Sequence, residues 1–280
     1  MSSKQPHPPS DNKTSSGLEM ADSDYKYLAK PPSACCFAGT IHKGTPRGNV
    51  EEILNVPTYV VKPSEEKANG HVVLYFPDVW GISNNACLLL DGFADAGYLA
   101  LGMDYFRGDP ISKYRLSKND PLPEGFDQAA WRTKHVAFAT ENVPKWAAAV
   151  REKFGSDKTK YVCVGYCFGA PYVCQMLATD EVSAGAFAHP TLLREEHFTS
   201  VKHPLLLSCA EHDHAFDTEA RRKAIDILQR EKKVYHLQLF YGVSHGFASK
   251  GDPDNPYQRW CKEQSLRGII DWFDLWLVKS

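Results

Sequence analysis

The sequence predicts an α/β fold in which a mostly parallel sheet carries helices on both faces. Strand and helix patterns alternate from Val72 to the C-terminus, the mark of a sheet covered on both sides. The strand patterns are continuous apolar runs, as in Tyr161 to Val164, rather than alternating ones, so both faces are buried. One run ends in Gly165-Tyr166-Cys167-Phe168-Gly169, where glycines permit the tight backbone of a strand-to-helix turn. A chain of 280 residues buries about three quarters of its unfolded surface, enough for one large core.

Residues 1–32 are rich in Ser, Pro, Lys, Asp and Asn; their few large apolar groups cannot offset the entropy of ordering, so a disordered tail is expected. Residues 33–280 are expected to form a single domain. Cys35-Cys36 and the Gly39 to Gly48 stretch, with His42, lead into a strand around Val50 to Val61. No second cysteine pair stands at ligand spacing, so a packed loop is expected here rather than a metal site. Val72 to Phe76 reads as a strand, and Ser83 to Ala96 as a helix with a Ser cap that closes at Gly97. Tyr98 to Met103 is the next strand.

The connection from Tyr105 to Phe126 contains Gly108, Pro110, Pro121, Pro123 and Gly125, and at that length it is a candidate cover for a substrate. Gln128 to Lys153 reads as a long helix that Pro144 should kink or split, with Trp131, Phe138 and Trp146 as core contacts. Strand 160–165 then enters the glycine-flanked turn, and Ala170 to Ala178 is a helix. Strands Ala184 to Ala188, Leu205 to Cys209 and Val234 to Tyr241 follow, with a helix from Thr218 to Arg230 and a closing amphipathic helix from Tyr257 to Leu277. In such sheets ligands sit at the carboxyl ends of the strands.

Composition bounds the function. With 32 Lys and Arg against 34 Asp and Glu, and 43% hydrophobic residues, there is no basic field for nucleic acid. Met1 to Ser10 has three prolines and no apolar run, which does not fit a secretory signal. The uncharged run from Tyr161 to Thr179 admits a membrane helix as an alternative, which Gly165, Gly169, Pro171 and Gln175 oppose. Eight cysteines without C-x-x-C pairs read as reduced thiols of a cytoplasmic protein. No membrane partner and no cofactor are expected, and the chain is expected to be a monomer or homodimer.

Cys167 is either a small buried hydrophobe, as most free cysteines are, or a nucleophile held at the turn. A thiol attacks as thiolate, so the second reading needs a base and an orienting acid. His245 lies in Gly242-Val243-Ser244-His245-Gly246-Phe247, directly after the last predicted strand. Asp213 lies in Glu211-His212-Asp213-His214, after strand Leu205 to Cys209. Nucleophile, acid and histidine after successive strands is the order of the α/β-hydrolase sheet. Glu211 is the rival acid, whereas Asp217 reads as a helix cap before Thr218 and Glu219. His212 and His214 raise a metal alternative, but no ligand at standard spacing completes it, so no metal is expected. For an oxyanion, the Phe168 amide at a helix N-terminus and the Val79 amide in Phe76-Pro77-Asp78-Val79-Trp80-Gly81 are the candidate donors.

With these motifs the chain resembles the dienelactone hydrolase family, most closely its fungal members, from about Ala34 to the C-terminus. Ala34-Cys35-Cys36-Phe37 and Gly39 through Gly48 are typical of that branch. The resemblance implies a Cys-Asp-His triad at Cys167, Asp213 and His245 that cleaves an ester or lactone through a thioester intermediate. Two departures stand out. Asp78 occupies the place of a glutamate that, in the bacterial enzymes, acts on the thiol. Of the two arginines that bind the dienelactone carboxylate there, Arg107 matches the first, while Ser249 stands at the second, with Lys250 adjacent. Ester or lactone cleavage thus carries over more firmly than dienelactone itself. Trp80, Tyr105, Phe106, Phe247 and His189 are expected around the pocket, His189 being equally readable as a structural histidine. Two other readings stay open: a non-catalytic binding protein on the same fold, and an isomerase, lyase or cyclase of secondary metabolism using His245 and Asp213 as acid and base.

Overall fold

The computed structural model describes residues 27–33, 36, 40–115 and 120–279. Eight strands form one sheet: β1 (Asn49–Ile53), β2 (Val56–Val61), β3 (Val72–Phe76), β4 (Leu99–Met103), β5 (Tyr161–Tyr166), β6 (Ala184–Ala188), β7 (Leu205–His212) and β8 (Tyr235–Ser244), in the order β1-β2-β4-β3-β5-β6-β7-β8. Only the β1/β2 and β2/β4 pairs are antiparallel. The strand expected over 50–61 is two strands, because Leu54 and Asn55 both take positive φ (51° and 58°) and make the two-residue hairpin turn that matches strand twist.

Helices cover both faces: α1 (Asn84–Asp95), α2 (Gln128–Phe154), α3 (Ala170–Leu177), α4 (Glu195–Ser200), α5 (Thr218–Arg230), α6 (Phe247–Lys250) and α7 (Pro256–Lys279). Alternate residues of each central strand feed different cores. Val72, Leu74 and Phe76 join Trp146, Val173 and Leu228 on the side of α2, α3 and α5. Val73 and Tyr75 join Leu90, Phe93, Ile269 and Phe273 on the side of α1 and α7. That two-sided burial is why the strands read as unbroken apolar runs. The uncharged run from Tyr161 is β5, a turn and α3, so the membrane-helix alternative is corrected. No helix among the described residues is long and apolar enough to cross a membrane.

Three further expectations change. The helix expected to kink or split at Pro144 is not split there and runs through it. Proline lacks the N–H that would bond the Thr140 carbonyl four residues back, and Gln175 Nε2 of α3 donates to that carbonyl instead, at 2.9 Å. Ser83 precedes α1, but its side chain makes no capping bond. Of the tail expected over residues 1–32, the described residues 27–32 are packed against the domain, and residues 1–26 lie outside the described residues. Ala29 is fully buried, the Leu28 and Ala29 amides donate to the Leu193 carbonyl, and the Lys30 amide donates to that of Ala215.

Parallel register levels the carboxyl ends of the central strands. Phe76 pairs with Gly165, Tyr166 with Ala188, and Ala188 with Ser208. After an irregularity at Ala210/His212, His212 pairs with Ser244. The next residues of those two strands, Asp213 and His245, therefore emerge side by side.

Candidate active site

Cys167 sits at the sharp end of β5 with φ of 50°, a left-handed backbone that a side chain adopts only under constraint. The constraint is the glycine pair. A Cβ on Gly169 would run into the Phe76 carbonyl of β3, and one on Gly165 into the Gly169 carbonyl. Their absence lets strand, turn and α3 close on one another, so the turn carries Cys167 out over the end of the sheet.

His245 follows β8, where Gly246 at φ 89° turns the chain into α6. Its Nδ1–H donates to Asp213, with both carboxylate oxygens at 2.9 Å. Its Nε2 lies 3.3 Å from Cys167 Sγ. Asp213 is held in turn by the Ala215 and Phe216 amides, at 2.9 and 3.1 Å. The rival Glu211 instead accepts from the Gly242 amide, and Asp217 caps α5 through the Ala220 amide. Thr191 Oγ1, which sequence reasoning did not single out, lies 3.8 Å from Cys167 Sγ.

The electrostatics follow from burial and contact. Burial would raise the Asp213 carboxyl, but His245 holds it down to about 2. Burial alone would depress His245; the charges of Asp213 and Cys167 lift it instead to about 10. Burial, with Cys36 beside it, pushes the Cys167 thiol well up, and His245 pulls it back. The two-oxygen contact with Asp213 makes the direction on His245 the governing one. An imidazole so oriented has a basic Nε2 aimed at a thiol and can take up its proton.

A second thiol completes the cluster. Cys36 is fully buried with Sγ 3.3 Å from the same His245 Nε2. Of the expected loop, Cys36 packs onto the site, and nothing in the spacing of positions 36, 167 and 245 could have revealed that. The Cys36 carbonyl accepts from Trp80 Nε1 at 3.3 Å and from Lys250 Nζ. Cys35 and Phe37 lie outside the described residues.

The two departures noted in the sequence meet in one contact. Asp78 is buried; its Oδ1 accepts from the Trp80 amide at 2.8 Å and its Oδ2 from Ser249 Oγ at 2.9 Å. Lys250, which stood only as a neighbour of Ser249, is turned inward, with Nζ 3.7 Å from Asp78 Oδ2 and 5.2 Å over the Trp80 ring.

Other expected lining residues divide. Val79 and Phe168 are buried beside the turn, on the loop after β3 and at the start of the helical segment after β5. His189, with φ 36°, packs edge-on to His245 with ring centroids 5.0 Å apart, and Phe247 lies 5.9 Å from it. Both His189 ring nitrogens are buried without a partner among the described residues, and burial keeps it neutral. Tyr105 and Phe106 pack against Phe168 inside the core, with the Tyr105 hydroxyl committed to the Pro77 carbonyl. Arg107 is not drawn into the cluster. It is exposed, its guanidinium 3.9 Å over the Phe138 ring on α2. The backbone at Arg107 takes φ 55°, and the guanidinium over an aromatic face is a cation–π arrangement.

The dienelactone hydrolase family model matches residues 56–277, the span that contains the sheet from β2 to β8 and all three of Cys167, Asp213 and His245. The chain belongs to the dienelactone hydrolase family. Dienlactone hydrolase 1 of Gibberella moniliformis is 42% identical over 264 residues, which cover 93% of this chain and 100% of that protein. Dienlactone hydrolase 2 of the same fungus is 37% identical over 255 residues, 90% of this chain and 98% of that protein. Among solved structures, a dienelactone hydrolase-like promiscuous phosphotriesterase from metagenomic libraries has the same fold, with TM-score 0.60 at 18% identity, over 79% of this chain and 92% of that chain. As a member of this family the protein is a hydrolase of the carboxylic ester and lactone class.

Proposed function

We propose that this dienelactone hydrolase family member cleaves an ester or lactone through an acyl-cysteine intermediate. The observation that carries the reading is the line from Asp213 through His245 to Cys167, at 2.9 and 3.3 Å. Nε2 takes the Cys167 proton as Sγ forms its bond to the carbonyl carbon. The resulting oxyanion lies between the Phe168 and Val79 amides, which stabilise it as charge develops. Its collapse breaks the bond to the leaving oxygen, which takes the proton back from Nε2. Water then attacks the thioester, gives its proton to Nε2, and the acid departs as the thiol is restored. Asp213 keeps Nδ1 protonated and the ring fixed throughout.

The substrate favoured is an uncharged ester or lactone, because Ser249 and Lys250 are both engaged with Asp78 and Arg107 is stacked on Phe138. Trp80, Phe247 and His189 offer its acyl group an apolar wall. We read Asp78 as organising the loop after β3, rather than acting on the thiol as the longer glutamate does. Residues 33–280 are taken as one catalytic domain, and the seven free, buried cysteines among the described residues suit a cytoplasmic, reducing setting. The test is turnover of p-nitrophenyl acetate. Cys167→Ala and Cys167→Ser should each lose on the order of 10³-fold or more in kcat/KM; undiminished turnover in either would refute the mechanism.

A further inference from the structure

Cys36 has no part in that mechanism, yet its sulfur touches the same nitrogen as the proposed nucleophile. Cys36 Sγ, Cys167 Sγ and His245 Nε2 all lie within 4.8 Å of one another, and each sulfur is 3.3 Å from Nε2. A tetrahedral Zn²⁺ bound at ordinary lengths spaces two thiolates about 3.8 Å apart and a thiolate and an imidazole about 3.5 Å apart. The three atoms therefore already occupy roughly one face of such a tetrahedron. We propose that they form a site for a soft divalent cation of the Zn²⁺ class, and that its occupancy silences the enzyme.

Three further features favour such a cation. Asp213 holds Nδ1–H of His245 at 2.9 Å, the carboxylate–histidine arrangement that orients a metal-ligating imidazole with Nε2 as donor. Two thiolates neutralise a divalent charge in a cluster where all three residues are buried, so the ion adds no net charge away from water. Thiolate ligands select Zn²⁺ and similar soft ions over Mg²⁺ or Ca²⁺. The second grouping, Asp213, His214 and His245, is weaker because Asp213 is already committed to His245 and the Ala215 and Phe216 amides. Binding releases two protons, that of Cys36 and the one shared between Cys167 Sγ and His245 Nε2, and leaves Nδ1–H on His245; the fourth position stays open to water. The metal takes the sulfur and nitrogen lone pairs that catalysis needs, so inhibition rests on the proposed function while binding does not.

The experiment titrates the full chain with Zn²⁺ against a chromophoric chelator in buffer kept reducing by a phosphine, and repeats the titration with Co²⁺. Expected are one ion per chain, a thiolate-to-Co²⁺ charge-transfer band of two-sulfur intensity, and p-nitrophenyl acetate turnover that falls in step with Zn²⁺ occupancy and returns with EDTA. Cys36→Ser and Cys36→Ala should each weaken Zn²⁺ by about tenfold or more and halve the Co²⁺ band. Absence of a thiolate band in the unsubstituted protein overturns the site whatever the variants do, as does Zn²⁺ affinity unchanged in folded Cys36 variants. Stoichiometric thiolate binding without inhibition supports the site and counts against Cys167 as the nucleophile.

Discussion

Asp78 places a carboxylate inside the protein, and what surrounds it decides how much that costs. Two hydrogen bonds, from the Trp80 amide and Ser249 Oγ, satisfy its oxygens, while Lys250 at 3.7 Å supplies the opposite charge. Lys250→Met removes the cation and leaves the carboxylate buried, at a cost of about 3 kcal/mol, the low end for breaking a buried pair because this pair is loose. Asp78→Asn in the Lys250→Met background should recover part of that loss, since a neutral amide needs no counter-charge. Urea midpoints of the two variants check this, and a double variant no more stable than Lys250→Met alone would show that charge is not the cause. At this scale the sequence was legible in part. Cys167, Asp213 and His245 stood out because each follows a strand; the coupling of Asp78 to Ser249, 171 positions apart, has no local signature. Cys36 was hidden for the same reason, since its neighbours at the site lie on the far side of the chain.

At the scale of elements, strands and long helices were read well because their burial is periodic and their ends carry Gly, Pro and capping residues. The misses are places where a tertiary contact overrides a local rule. Gln175 supplies the Thr140 carbonyl with the donor that Pro144 lacks, so α2 continues where proline alone would end it. The short helices α4 and α6 are too brief to show a period. The connection after β4 is fixed by Asp109, whose carboxylate accepts from Lys134 at 2.7 Å, His135 at 3.0 Å and Tyr114 at 2.6 Å. Its main-chain carbonyl accepts from Trp131 Nε1 at 3.0 Å. Burial would raise the Asp109 carboxyl, but the bonds from Lys134, Tyr114 and His135 hold it well below its ordinary value. A depressed carboxylate stabilises the folded chain above its unfolded pKa of about 3.9, and that contribution drains away as the pH falls further. Below pH ~4 the connection should therefore loosen from α2, read as faster amide exchange at Phe106 to Tyr114. Asp109→Asn should show the faster exchange already at neutral pH and lose the acid dependence; equal acid dependence in the variant would place the titrating group elsewhere.

For the molecule as a whole, the carboxyl end of the sheet is where everything converges, and one segment ties it together. Residues 28–32 and Cys36 bond Leu193 after β6, Ala215 after β7, Gln128 at the start of α2, Trp80 after β3 and Lys250 in α6. Those five places hold the loops around Cys167, so the segment acts as a strap across the site, and its last described residue is the thiol beside His245. Composition hides this role, because a strap held mainly by its backbone hydrogen bonds needs few apolar side chains. A chain truncated to begin at Thr40 loses buried Ala29 and Cys36 together with these bonds, and leaves the Trp80 and Lys250 donors without the Cys36 carbonyl. Each kcal/mol lost should lower Tm by about 2–4 °C. The more discriminating measurement is alkylation of Cys167 by iodoacetamide, followed by peptide mapping. If the strap covers Cys167, the truncated chain alkylates there faster than the full chain, while Cys163, Cys174 and Cys209, buried in the sheet and α3, stay slow in both. A uniform rise at all four thiols would mean general loosening, and no rise at Cys167 would mean that the reagent reaches it by a route the strap does not cross.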